Sequence, residues 1–305
     1  ACRAAGLTVP IVFRPKFRGL EKALTPGMHA AFYVHNSLLN NQMVSRRELN
    51  HVLLNHRESE AGDNWSPMAA MYDQVFVPGR VARERFTRHD VFIPDSKFRI
   101  VGRPQVSSLE VRRPRPAGEP PTVLYLPTWF RTNGTRPSTL PKATTVVAAL
   151  LERGATVLFQ PDVTWSRYRE CREAVAEVTA LLEADREATG RRHRVSTKGT
   201  AGRKTMLELM NLSDALVTDT VVPAYDYLRT DKPFAVLTPN FGVDADAPVM
   251  AAAYPLRADG SGVDALLDTL LADPLADVRA QVRVDYLGPT VDDADHAATF
   301  VAAAR

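Results

Sequence analysis

Cysteine is nearly absent from this chain. Its 305 residues include only Cys2 and Cys171, which are far apart and lack metal-ligand or redox spacing. That argues against a disulfide framework and fits a reducing compartment. Also missing is any apolar run near the roughly 18–20 residues of a membrane span, and the N-terminus shows no basic-then-apolar signal pattern. Net charge is small as well: 38 basic and 35 acidic residues leave +3, although the pI is near 8.9. Nucleic acid is therefore not an implied partner. These absences give a cytoplasmic reading. The chain opens "ACRAAGLTVPIVF", without Met and in what reads as a helix leading into a strand, so part of a longer protein is expected and a membrane segment elsewhere in it stays open.

What is present is a rhythm. At 45% hydrophobic content the length suits two ordinary cores better than one. Short runs rich in Val, Ile and Phe recur at 9–13, 30–34, 51–55, 74–77 and 98–102, and again at 122–126, 155–159, 193–197, 215–218 and 234–237. They are strand-length. Between them, "NSLLNNQMVSRREL", "GRVARERFTRH", "ATTVVAALLERG" and "YRECREAVAEVTALLEADREATG" repeat apolar residues at helical intervals, so the alternation predicts parallel α/β structure. Only "QVSSLEVRRPRPAGEPP" (105–121) interrupts it, with four prolines and three arginines. The expected organisation is an N-terminal Rossmann-like domain over 1–108, a Pro/Arg-rich linker over 109–121, a C-terminal Rossmann-like domain over 122–290, and a final helix within 291–305 that crosses back to the first domain. Ligands of open parallel sheets bind beyond the carboxyl ends of the strands, so such a pair of domains should face a ligand cleft.

Four stretches sit at those strand ends. "NHRESEAGDNW" places His56 with Glu58 and Glu60 after the third strand; His56 is the candidate general base toward an acceptor hydroxyl, or else a solvated loop histidine. "YLPTWFRTNG" offers Thr128 and Arg131 to phosphate, and Trp129 as a pocket wall or an interdomain filler. "LFQPDVTWSRYRE" supplies Asp162, either a base or a turn-forming carboxylate. The fourth is "ALVTDTVVPAYDYLRTDKPFAVL" (215–237), a strand, a turn, a helix start and a second strand. A junction of this type aims N–H groups and a helix dipole at phosphate. Glycines and hydroxyls are lacking where they are usual: Val221 and Val222 donate nothing from their side chains, and Pro223 has no N–H. A proline that early suits a helix start without any ligand.

In order and spacing, "HVLLNH", "YDQVFVPG", "KFRIVGRP", "VLYLPTW", "ATVLFQP", "SDALVTD", "YDYLRTDKPFAVL" and "DYLG" resemble the CDP-glycerol glycerophosphotransferase family, the teichoic-acid primases and polymerases of GT-B fold. The resemblance spans nearly the whole chain. It implies a GT-B-like fold, no metal or other cofactor, a CMP- or CDP-polyol nucleotide on the second domain, and a polyol-phosphate polymer or protein partner. It also implies work at the cytoplasmic face of the membrane, by peripheral association or through a missing segment. The ligand-binding residues it implies are Arg57, Arg103, Thr128, Arg131, Thr218, Asp219, Thr220, Val221, Val222, Tyr225 and Asp226.

Departures from the family pattern fall on the chemistry. The His-Gly pair becomes His56-Arg57, a basic residue becomes Ala61, the histidine of a His-Pro pair becomes Asp162, and paired serines become Val221-Val222, while Asp219 and Asp226 remain. A lost transition-state donor costs about 2.7–4 kcal/mol and a lost acid-base group about 10²–10⁴ in rate. The expectation is a catalytically degenerate member acting by binding. The alternative is an active polyol-phosphate or glycosyl transferase with a changed donor, His56 as base, and Arg103 and Arg131 supplying charge. The valine pair is expected at a cleft mouth, where serines could replace it with little effect on folding.

Overall fold

A computed structural model describes residues 24–54, 65–112, 115–116, 118–129, 138–196, 205–238, 247–288 and 296–305. The run at 9–13 lies outside them. Strands β1 (Ala30–Tyr33), β2 (Asn50–Leu53), β3 (Gln74–Val77) and β4 (Phe98–Ile100) form a four-stranded sheet in that order, every pairing parallel. Parallel neighbours need crossovers. Helix α2 (Arg80–Arg88) supplies the one between β3 and β4, burying Val81, Ala82 and Phe86.

The segment read as a helix over 36–49 is mostly not one. It forms a 3-10 turn at Leu38–Asn40 and a single turn, α1 (Asn41–Val44). Side-chain hydrogen bonds compete with helix there: Ser37 Oγ accepts from Leu39 N, and Asn40 Nδ2 donates to His35 O at 2.7 Å and to the Tyr72 hydroxyl at 2.8 Å.

The second sheet contains β5 (Thr122–Leu126), β6 (Thr156–Phe159), β7 (Arg194–Val195), β8 (Ala215–Thr218), β9 (Phe234–Leu237) and β10 (Ala253–Leu256). Its order is β10-β9-β8-β5-β6-β7, again wholly parallel. The chain starts mid-sheet at β5, winds outward through β6 and β7, then returns beside β5 at β8 and winds the other way. That reversal opens a crevice at the carboxyl ends of β5 and β8.

Alternate strand residues enter two cores, as the two-residue pleat requires. Leu124, Leu126, Leu216, Phe234 and Val236 pack on one face, against α5 (Met206–Leu212), α6 (Val221–Tyr227), α7 (Pro248–Ala251) and α9 (Ala276–Leu287). Val123, Tyr125, Val157, Phe159 and Val217 pack on the other, against α3 (Ala143–Glu152), α4 (Arg169–Thr189) and α8 (Val263–Ala272). Burial on both faces is why these strands read as unbroken apolar runs.

Contacts between the two sheets' layers fix what lies near the crevice. The N-cap of α2, Gly79, abuts the end of α9, where a Cβ would fall 2.5 Å from the backbone of Asp285 and Tyr286. Helix α10 (His296–Ala304) lies on the first sheet: the Phe300 ring is 6.0 Å from that of Phe32 and 5.6 Å from that of Phe76. His296, 1% exposed, sits over Gly102 (φ +69), with Nδ1 3.2 Å from both the N and O of Arg103. Only a residue without a Cβ fits there, since a Cβ would meet the imidazole at 2.7 Å.

Candidate functional site

Two loops meet at the switch point, one after β5 and one between β8 and α6, and Asp219 binds them together. Its Oδ2 accepts from Thr128 N at 2.8 Å, Ser138 Oγ at 2.9 Å and Thr139 N at 2.9 Å, while Oδ1 accepts from Thr139 Oγ1 at 2.5 Å. The carboxyl is 3% exposed, and burial pushes its pKa up to about 6 against the pull of these donors. Asp219 thus ties the walls of the crevice together.

Those walls enclose a cavity of about 220 Å³, with Thr128, Gln160, Asp162, Thr218, Thr220 and Pro223 among its lining. Two polar atoms there are unspent among the described residues: Thr128 Oγ1, on a residue 4% exposed, and Gln160 Oε1. Buried polar atoms normally have partners. A hydroxyl and an amide carbonyl lining one cavity offer a donor and acceptors to a polar ligand. Gln160 went unread in the sequence, although it directly follows β6 in "LFQP" and so met the same strand-end criterion as Asp162.

Asp162 is a turn-former. Its Oδ1 accepts from Thr164 N at 2.8 Å and Thr164 Oγ1 at 2.6 Å, and its backbone N donates to Pro127 O at 3.0 Å. Thr218 is fully buried, its hydroxyl donating to Thr220 O at 3.1 Å. Trp129 neither walls this cavity nor fills a space between the sheets; it stacks on Tyr168, centroids 5.1 Å apart, against the α4 side of the second core.

Along α6 the residues singled out in the sequence diverge. Val221 is 3% exposed and belongs to the core with Leu126, Leu158 and Leu216, which corrects the expectation of an open cleft-mouth turn; Val222 is half-buried. A β-branched side chain at the first helical residue points back at the strand ends beneath it. Tyr225, 1% exposed, packs on Tyr286 with ring centroids 5.2 Å apart. Asp226 faces out of α6 to Arg103, with Oδ1 2.6 Å from Nη2. Burial raises the Asp226 carboxyl above its ordinary value and Arg103 pulls it back. Arg103 and Asp226, chosen separately from the sequence, therefore meet. His56, Arg57 and Arg131, like Glu58, Glu60 and Ala61, lie outside the described residues.

Among the described residues, no group of three or more His, Cys, Asp or Glu could hold a metal ion, and no helix is long and apolar enough to cross a membrane.

No protein-family model matches the chain, and no curated protein matches it by sequence. Solved structures do match by shape. A UDP-N-acetylglucosamine 2-epimerase is 14% identical with a TM-score of 0.55, over 94% of this chain and 75% of that one. S. aureus MnaA in a UDP co-structure gives 12% identity and 0.53, over 93% and 74%. A variant of the wall teichoic acid polymerase TagF with CDPG gives 13% and 0.50, over 90% and 70%. At such identities the likeness is one of fold: this chain has a GT-B-like α/β architecture with two parallel, Rossmann-like sheets.

Proposed function

We propose that this chain is a GT-B-type module of the CDP-glycerol glycerophosphotransferase kind that acts by binding in the assembly of a cell-envelope polymer, with transfer chemistry impaired. The observation that carries the reading is Val221. At the helix start where a phosphate cradle would need donors, that side chain is locked in the core at 3% exposure, and Pro223, beside it on the cavity wall, has no N–H to give. What the crevice does offer, Thr128 Oγ1 and Gln160 Oε1, suits recognition by hydrogen bonding. Neither atom neutralises developing charge as a cation or cradle of N–H groups does. The titled ligands of the matching structures, CDPG for TagF and UDP for MnaA, support a pyrimidine nucleotide as the class to try first.

The test is isothermal titration with CMP, UDP and CDP-glycerol, run beside a product assay on a polyol-phosphate primer. Binding without turnover is expected. Tight CDP-glycerol binding with primer extension would replace this reading by the active one, in which His56 is the base; His56→Ala would then abolish product while leaving nucleotide affinity within about twofold.

A further inference from the structure

A larger cavity, about 400 Å³, lies at the carboxyl end of the first sheet. We infer that it is a binding site for a small amphiphile, an apolar alkyl or aryl body carrying one anionic oxygen group. Phe76, Phe86, Val101 and Phe300 give its apolar wall, drawn from β3, α2, the segment after β4, and α10. Among the described residues its charged lining is of one sign: Arg85 and Arg103, 1% and 8% exposed, and no carboxylate. At about 30 Å³ for each water-sized group, that volume holds roughly a dozen non-hydrogen atoms, within the range of small-molecule sites.

The anionic end is assigned by Arg103. Its Nη2 holds Asp226 at 2.6 Å, yet its Nε, buried, has no hydrogen-bond partner among the described residues. A guanidinium presents five N–H donors in a fixed planar fork, so one edge can keep the carboxylate of α6 while the Nε edge takes an oxygen of the ligand. A buried charged donor left without an acceptor is costly; a carboxylate or phosphate there satisfies it through a charge-assisted bond. The apolar body then rests against Phe300, so an occupied cavity also holds α10 on the first sheet. This site does not depend on the nucleotide reading of the other sheet.

The intact chain is titrated calorimetrically with octyl phosphate, octanoate, octanol and inorganic phosphate. Octyl phosphate or octanoate should bind at least about tenfold more tightly than octanol and than inorganic phosphate, the worth of one charged hydrogen bond and of the alkyl chain respectively. Whichever of the two anions binds better identifies the head group as phosphate or carboxylate. Ala82→Leu, which fills the cavity from α2, should weaken that binding about tenfold. If this variant does not fold, intermolecular NOEs from the octyl chain to the ring protons of Phe76, Phe86 and Phe300 in the unaltered protein decide instead. Octanol binding as tightly as the anions, no binding by either anion, displacement of octyl phosphate by CMP, or NOEs to other rings would overturn the assignment.

Discussion

Arg103 Nη2 stands 2.6 Å from Asp226 Oδ1, a contact between the segment following the first sheet and helix α6 of the second. Both side chains are largely withdrawn from water, at 10% and 24% exposure. Breaking such a pair from one side leaves the other charge stranded, and the two sides differ in how they can escape. Arginine stays protonated, whereas a stranded carboxyl can take up a proton. Asp226→Asn should therefore cost about 2–4 kcal/mol at pH 4 and less at pH 7, because the parent's raised carboxyl loses stability as pH climbs while the amide does not titrate. Arg103→Met should cost less at pH 4 than at pH 7. Without the arginine, the buried Asp226 carboxyl rises further above its ordinary value, so the fold holds that proton more tightly than the unfolded chain. Stability is then lost as pH climbs above the ordinary carboxylate range. Urea denaturation across pH measures both, and equal pH profiles for the two variants would contradict this account.

Asp219 carries a second, separable pH effect. Its carboxyl is raised from 3.8 to about 6 by burial, which means the folded state binds a proton that the unfolded state has already released. The stability it contributes is complete below about pH 4 and declines as pH rises toward 6, by about 3 kcal/mol at ~1.4 kcal/mol per unit. Asp219→Asn should flatten that decline, because an amide does not titrate. Asp219→Ala should be far worse than either state of the carboxyl, since it strands Thr128 N, Thr139 N and two hydroxyls at about 1–3 kcal/mol for each unsatisfied group. Denaturation midpoints for the three proteins at pH 4 and pH 7 give the comparison.

The legible part of this fold was the part buried on both faces. β5, β8 and β9 are apolar at nearly every position because helices cover each side of them, so length and flanking turns were enough to find them. β10 was missed because its "AYPL" includes Pro255; an edge strand paired only with β9 tolerates the lost N–H. The site was harder. Asp219 was implied by the family resemblance, but its partners Thr128 and Thr139 lie 91 and 80 residues away, a relation that no local pattern encodes. Strand-end position selected Asp162 and would have selected Gln160 too, yet could not tell a carboxylate whose Oδ1 is held in its own turn from a carbonyl without a partner among the described residues.

Adjacent valines in α6 should respond differently to the same change. Val221→Ser removes a side chain 3% exposed and buries a hydroxyl, at about 2 kcal/mol, whereas Val222→Ser alters a half-buried position and should cost less than about 1 kcal/mol. Only the second is a clean probe of ligand contact. On the proposed binding role it should raise CMP affinity about two- to tenfold, the worth of a single hydrogen bond. The double variant should show no further gain beyond that, with Val221→Ser adding only instability. Calorimetric affinity beside thermal unfolding separates these effects, and a Val221→Ser protein as stable as the parent would contradict its core placement.

Gly79 marks a close approach between α2 and α9. Its backbone is extended, with φ −158, a conformation any residue adopts, so an added methyl is penalised only by what it meets. That is the main chain of Asp285 and Tyr286 at 2.5 Å, closer than non-bonded carbon and oxygen atoms can lie, and a helix backbone cannot rotate aside as a side chain would. Gly79→Ala should therefore push the end of α9 away from α2, costing about 1–3 kcal/mol as an overpacked contact does. Amide exchange should quicken at Tyr286 and Leu287, and next at Tyr225, which rests on Tyr286. The neighbouring ion pair is the control. Arg80 reaches Asp285 at 2.9 Å, but is half exposed at 51%, so Arg80→Ala removes a solvent-screened attraction across the same junction and should cost less than Gly79→Ala. If Arg80→Ala proves the more damaging of the two, charge and not close packing holds this junction together.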